Sequence, residues 1–258
     1  MGRILKNFIF NSFSQLLSII IPLITAPYLS RVLGPDNIGI ESYINAVSQI
    51  FYTIGMLGLT NYAAREIAYV RDNKSDRSKV FWEMMVDRIV VFSLTLLIFM
   101  IVGYNSPYKS FFIIQIVWLF AMFFDASWFF IGMELFELTV LRNFVVRMLT
   151  IISIFALIKD ADDFWLYMVL CAVSQLVGTI CIFPQLTKYV EMVSPKELNI
   201  WKHFIPSIKV FLPQFASVLY LQVDKVMLEA ICNDTKQIAY YSHCLLYTSP
   251  SPRDSTSS

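Results

Sequence analysis

Residues 89–108 read IVVFSLTLLIFMIVGYNSPY, twenty positions without a charge. A helix rises about 1.5 Å per residue, so about 20 apolar residues cross a hydrocarbon core of about 30 Å. In lipid every backbone polar group needs a partner within the protein, so such a run spans as a helix. The same reading extends along the chain. Residues 7–30, 42–64, 110–124 and 164–187 also carry no charge, while 140–158 holds Arg142 and Arg147 and 204–223 holds Lys209. The expectation is an all-α integral membrane protein with seven spans. Composition agrees. Apolar residues make up 57% and charged ones 15%, against about 25% charged in a soluble domain. The mean hydropathy is +0.62. The first run is too long for the apolar core of a signal peptide and lacks a small-residue cleavage site, so it reads as a retained helix.

The loops set the orientation. With the N-terminus inside, the inner tail and gaps hold fourteen Lys and Arg, from Arg3 and Lys6 through Arg65, Arg71, Lys74, Arg77, Lys79 and Arg88 to Arg142, Arg147, Lys188, Lys196, Lys202 and Lys209. The outer gaps hold three, namely Arg31, Lys109 and Lys159. Basic residues accumulate on the cytoplasmic side, which places the N-terminus in the cytoplasm of a multi-pass inner-membrane protein. The outer turns are short and leave no room for an extracytoplasmic domain. The net charge of +1 is laid out by topology, so nucleic acid is not an expected partner. The lipid bilayer is.

Several chemistries have no sequence support. The four cysteines, Cys171, Cys181, Cys232 and Cys244, show no zinc-like spacing, and the chain has two histidines, so neither a metal site nor a cofactor is expected. No phosphate-binding glycine loop, nucleophile elbow or HExxH sequence occurs. At the C-terminus, residues 244–254 read CLLYTSPSPRD. All eleven match an in-frame translation of a common transposase sequencing adapter. The expectation is a native chain to about His243 and a non-native tail over 244–258.

Three stretches carry a family resemblance. The first is Pro27-Tyr28-Leu29-Ser30-Arg31-Val32-Leu33-Gly34-Pro35-Asp36-Asn37-Ile38-Gly39. The second is Asp125-Ala126-Ser127-Trp128-Phe129-Phe130-Ile131-Gly132-Met133-Glu134, a D-x-x-W-x-x-G-x-E pattern. The third is Val223-Asp224-Lys225-Val226-Met227-Leu228, followed by Ile238-Ala239-Tyr240-Tyr241. Together they resemble the polysaccharide biosynthesis/export family, whose best-known members are the O-antigen (Wzx-type) flippases. The resemblance implies a multidrug/oligosaccharidyl-lipid/polysaccharide exporter fold of two six-helix lobes. On that plan 1–203 forms an N-terminal six-helix lobe and 204–243 the first helix of a second, so the chain is a truncated two-lobe transporter. A faint internal repeat agrees: Arg31-Val32-Leu33 with Ile38-Gly39-Ile40 matches Lys225-Val226-Met227 with Ile238-Ala239-Tyr240, each after a Pro-containing apolar span.

The implied substrate is a polyprenyl-pyrophosphate-linked oligosaccharide, an O-antigen or capsule repeat unit, moved from the inner to the outer leaflet without enzymatic turnover. Its diphosphate needs cations, and the planar fork of arginine suits phosphate oxygens. Charges placed in lipid are costly without a partner, so the embedded ones are the candidates. Arg147 and Arg142 read as diphosphate contacts or as interface residues that reach to the headgroups. Arg31 reads as a substrate contact or a helix-end anchor. Asp224 and Lys225 read as a gate or coupling-ion site, for H+ or Na+, or as a local ion pair. Asp125 is expected to pair with Arg142 or Arg147, and Trp128, Gly132 and Glu134 complete its sequence pattern. Lys209, between Pro206 and Pro213, reads as a cytoplasmic-end residue or part of a broken helix. Within the same superfamily an exporter of peptidoglycan precursor or drugs is the alternative; further off is a membrane polysaccharide polymerase.

Overall fold

The computed structural model describes residues 2–194, 198–199 and 201–248, with side chains from residue 12 to 246. Among them the chain forms α1 (Gly2–Val32), α2 (Gly34–Met56), α3 (Leu59–Val70), α4 (Lys74–Tyr104), α5 (Lys109–Phe124), α6 (Ser127–Gly132), α7 (Phe136–Leu157), a 3-10 turn (Ala161–Asp163), α8 (Phe164–Leu186), α9 (Trp201–Cys232) and α10 (Thr235–Thr248). Local signals set several boundaries. Asn73 caps α4, its Oδ1 accepting from the amides of Ser75 and Asp76 at 3.0 and 3.4 Å, as short polar side chains do at helix starts. Asp163 accepts from the amides of Lys159 and Asp160 and tightens the turn into α8.

Six helical stretches among the described residues are long and apolar enough to cross a membrane: Ser12–Val32, Lys74–Tyr104, Lys109–Gly132, Phe136–Leu157, Ala161–Leu186 and Trp201–Cys232. Apolar side chains exposed along α1 (Leu16, Ile19, Ile20, Leu23) and α4 (Leu94, Leu97, Ile98, Ile101) form the lipid-facing surface. The protein is an all-α, multi-pass membrane protein.

The expected second span, 42–64, does not form as one helix. α2 stops at Met56, because Leu57 (φ 45°) and Gly58 (φ 69°) take left-handed backbone, which glycine adopts at little cost. The turn also lets α9 approach. A Cβ on Gly58 would lie 2.6 Å from the Phe211 amide nitrogen and 2.8 Å from the Ser207 carbonyl oxygen. Two more expectations change. Residues 65–88, read as a basic loop, are almost wholly helical, so Arg77 and Arg88 are buried inside α4. Asp224 and Lys225, read as ending the last span, lie two turns inside α9, which also runs unbroken through Pro206 and Pro213. Neighbouring helices and side chains absorb such prolines in membrane helices.

Two apolar clusters hold the bundle. One joins α2, α4, α5, α7 and α8 through Ile44, Phe92, Phe99, Phe112, Ile154 and Phe164. The other joins α3, α4, α6 and α8 through Tyr62, Ile67, Phe81, Met84, Trp128 and Ile182. Phe92 stacks on Phe123 at 4.1 Å between centroids, and Phe81 on Trp128 at 5.5 Å. α10 packs along α2, and α9 lies over α2, α3 and α4. Parts of the tail pattern, 249–258, lie outside the described residues; Cys244 to Thr248 continue α10.

Candidate functional site: an arginine-lined cavity at the end of α5

α5 ends at Phe124, and the extended backbone of Asp125 (φ −63°, ψ 118°) turns the chain into the short α6. That turn aims the Asp125 carboxylate at α7. Its Oδ1 accepts from Arg142 Nη1 at 2.8 Å and from Ser127 Oγ at 2.8 Å. Arg142 is held on its other edges too. Nη2 donates to Ser127 Oγ at 2.8 Å and to Asn143 Oδ1 at 2.7 Å, and Nε donates to the same Asn143 oxygen at 3.1 Å. The expected partner of Asp125 is therefore Arg142. With side chains 11% and 23% exposed, the pair sits where water still reaches one edge.

Arg147 follows five residues later on α7, about 7.5 Å further along the axis. Among the described residues its hydrogen-bond partner is Ser18 of α1, whose Oγ accepts from Nη1 at 2.9 Å. A guanidinium carries five N–H donors, so Arg147 has capacity that Arg142 has already used. Both arginines line one cavity of about 280 Å³, with Asp125, Ser127, Asn143 and Gln175. Two guanidinium groups face one carboxylate there, so the cavity carries net positive charge. The amide groups of Asn143 and Gln175 are uncharged donors for the oxygens of an anion.

The other sequence candidates lie elsewhere. Arg31 is exposed in the last turn of α1, thirteen residues and about 20 Å along the helix from Ser18. Asp224 Oδ2 accepts from Tyr241 of α10 at 2.6 Å. Lys225 Nζ donates to Gln222 at 3.3 Å and lies within electrostatic reach of Glu41 on α2. Lys209 is exposed on α9.

The Asp125 to Glu134 stretch is a set of ties from α6 to its surroundings. Trp128 is 2% exposed and lies flat against Phe81. The Arg88 guanidinium sits over the rings of Trp128 and Phe123 at 5.9 and 5.4 Å, a cation–π arrangement. Arg88 also donates to the Asp125 carbonyl at 3.3 Å and to Met56 Sδ at 3.0 Å. Gly132 packs against α3 so closely that a Cβ would lie 2.5 Å from the Ala64 carbonyl oxygen. Glu134, in left-handed backbone (φ 57°), pairs with Arg71 at 2.6 Å.

A second polar group escaped the sequence reading. Glu83 of α4 accepts from the Asn199 amide at 2.7 Å and from His203 Nε2 at 2.9 Å, and His203 Nδ1 lies 3.0 Å from Tyr62 OH. His203 is 0% and Glu83 1% exposed. This chain of bonds fastens the start of α9 to α3 and α4. Its sequence signal was Glu83 and Asp87, two acidic residues one helical turn apart and just before the uncharged run. No group of three or more metal-ligating side chains occurs among the described residues.

A family model described as "Polysaccharide biosynthesis protein" matches residues 4–246. The chain belongs to the polysaccharide biosynthesis protein family. Two curated relatives are similar over shorter stretches. One, named "Putative O-antigen transporter", from Escherichia coli (strain K12), is 32% identical over 92 residues, 36% of this chain and 22% of the relative. The other, of the same name, from Shigella flexneri, is 37% identical over 78 residues, 30% of this chain and 18% of the relative. The aligned stretch thus spans about a fifth of each relative's length. No solved structure matches. The family assignment agrees with the resemblance carried by the three sequence stretches, and the relatives are named as transporters rather than enzymes.

Proposed function

We propose that this polysaccharide biosynthesis family member is the N-terminal part of a flippase. It moves a polyprenyl-pyrophosphate-linked oligosaccharide from the inner to the outer leaflet of the inner membrane, with its N-terminus in the cytoplasm. The diphosphate is held in the cavity beside Arg147. The observation that carries this reading is the pairing of unequal arginines. Arg142 is occupied by Asp125, Ser127 and Asn143, while Arg147 faces the same cavity with a hydroxyl from Ser18 as its partner among the described residues. The first arginine shapes the wall and the second meets the cargo. A guanidinium near lipid needs an anionic or aqueous partner, and a diphosphate supplies charge-assisted hydrogen bonds that match its fork. On this reading 1–203 forms one lobe, and α9 belongs to a second lobe that rocks against it to alternate access, driven by an H+ or Na+ gradient.

The test uses the full-length gene in a flippase-deficient strain. Arg147→Ala is expected to abolish surface polysaccharide at an unchanged protein level. Arg147→Lys, which keeps charge but not fork geometry, is expected to retain part of it. Normal polysaccharide from a well-expressed Arg147→Ala protein refutes the assignment.

A further inference from the structure

Where α4 ends and α5 begins, the two helices leave a groove of about 280 Å³ along their seam. Its lining comes from one face of each helix. Positions 99, 100, 103 and 104 of α4 and 109, 112, 113 and 116 of α5 contribute, and residues three and four apart share a helix face. Gly103 shapes the back wall. A Cβ there would lie 2.8 Å from Phe112 Cβ, so the backbone of α4 comes directly against the Phe112 side chain. Met100 and Ile113, 45% and 65% exposed, flank the opening on either side.

The surroundings limit what fills it. Lys74–Tyr104 and Lys109–Gly132 are both long and apolar enough to cross a membrane, so the mouth of the groove lies at a membrane surface and its body in hydrocarbon. From Lys109 to Ile116 it extends about 10 Å along α5, most of the roughly 15 Å of hydrocarbon in one leaflet. Spread over that depth, about 280 Å³ leaves room for one hydrocarbon chain and none for a helix, which is about 10 Å across.

The groove holds one charge. No Asp or Glu lines it, and its cation is Lys109, which has no hydrogen-bond or ion-pair partner among the described residues. Helical side chains lean toward the helix N-terminus. Lys109 is the first residue of α5, so its stem lies on the apolar wall and its ammonium reaches toward the headgroups. Tyr104, 79% exposed, ends α4 at the same level, as amphipathic rings do at membrane interfaces. A cation above a narrow apolar slot matches a negative charge joined to a hydrocarbon chain. We propose that the α4–α5 groove binds an anionic phospholipid, with its phosphate on the Lys109 ammonium and one acyl chain along Gly103 and Phe112. Basic pockets between membrane helices hold anionic headgroups in this way. A zwitterionic headgroup brings its own cation to the phosphate and gains less from Lys109. On the topology expected from the basic residues, the lipid belongs to the outer leaflet. The site requires that the chain spans a membrane and nothing of what the chain carries.

The test is native mass spectrometry of the 258-residue chain, released from nanodiscs of equimolar phosphatidylglycerol and phosphatidylcholine with the same acyl chains. The wild type is expected to retain phosphatidylglycerol over phosphatidylcholine by about fivefold, the advantage that one lysine at a headgroup carries. Lys109→Gln, at an exposed position, is expected to retain the two lipids alike. Ile113→Trp, also at an exposed position, lays a ring across the groove and is expected to lower retention of both. Lys159→Gln removes the same charge from another exposed position and should leave the preference intact. No preference in the wild type overturns the site. So does a preference that survives Lys109→Gln, or one that Lys159→Gln abolishes equally, since that is the response of general surface charge. Displacement of the lipid by inorganic phosphate alone overturns it too, because the acyl chain would then have no part in binding.

Discussion

Replacing Gly132 by alanine tests how α6 is seated. An added Cβ would lie 2.5 Å from the Ala64 carbonyl oxygen and 2.8 Å from Ile67 Cβ, whereas ordinary contact begins at 3.4 Å. α6 must therefore withdraw from α3 by roughly 1 Å, because a close-packed interior has no slack to absorb the group. Neither neighbour is the free end of a flexible side chain, so rotation cannot relieve the clash. Overpacking of this kind costs about 1–3 kcal/mol. Gly178 provides the control. A Cβ there meets Val146 Cγ2 at 3.5 Å, an ordinary contact. Gly178→Ala removes a flexible residue from the middle of α8, so it is expected to be neutral or to stabilise by up to about 1 kcal/mol. Equilibrium unfolding in mixed micelles, followed by loss of helical ellipticity on SDS titration, reads both. If Gly132→Ala unfolds with the wild type, or Gly178→Ala loses as much as Gly132→Ala, the close approach of α6 to α3 is not what the glycine serves.

Three further outcomes are expected. A double-mutant cycle on Asp125→Ala and Arg142→Ala should give a coupling of about 1–2 kcal/mol, between the values of exposed and fully buried pairs; additivity would show that the ion pair contributes nothing. Glu83→Ala orphans His203 Nε2 and the Asn199 amide inside the protein and should cost about 2–5 kcal/mol in the same unfolding assay; wild-type stability would remove the Glu83–His203 tie. In a cysteine-free background, a single cysteine at the exposed position 74 should resist an impermeant thiol reagent in intact cells, and one at the exposed position 162 should react; labelling at 74 would invert the topology.

The apolar runs were legible because lipid leaves a helix no alternative, so absence of charge over about 20 residues is nearly a structural statement in itself. The break at Leu57 and Gly58 was not, because it involves neither a charge nor a proline. Its signal was one glycine, and what makes the left-handed turn necessary is the approach of Phe211 from a helix 150 positions away. Arg77 and Arg88 were counted as loop residues on charge alone. In the fold Arg77 donates to the carbonyls of Tyr189 and Arg71, and Arg88 lies between aromatic faces. Tyr189 and the two aromatic rings come from segments distant in sequence. The Asp125–Arg142 pair was foreseeable, because embedded charges seek each other across neighbouring spans. Ser127, Asn143 and Gln175 were not, since uncharged polar residues in a membrane helix are too common to single out.

The 31 residues of α4 make a rod of about 47 Å, half again as long as a hydrocarbon core of about 30 Å. Its charged residues are not spread along that length. Arg77, Glu83, Asp87 and Arg88 occupy the first half, and the charge-free run from Ile89 fills the second. One rod thus stands in two solvents, with a stem in oil and a collar at the headgroups. The buried charges of the collar need not enter hydrocarbon when the helix is laterally released from the insertion machinery. Bilayer thickness then sets how far the collar stands proud. A thicker membrane would draw Asp87 and Arg88 toward the acyl chains first, so the lipid itself is positioned to bias the tilt of α4 against α5, at whose end the arginine-lined cavity sits.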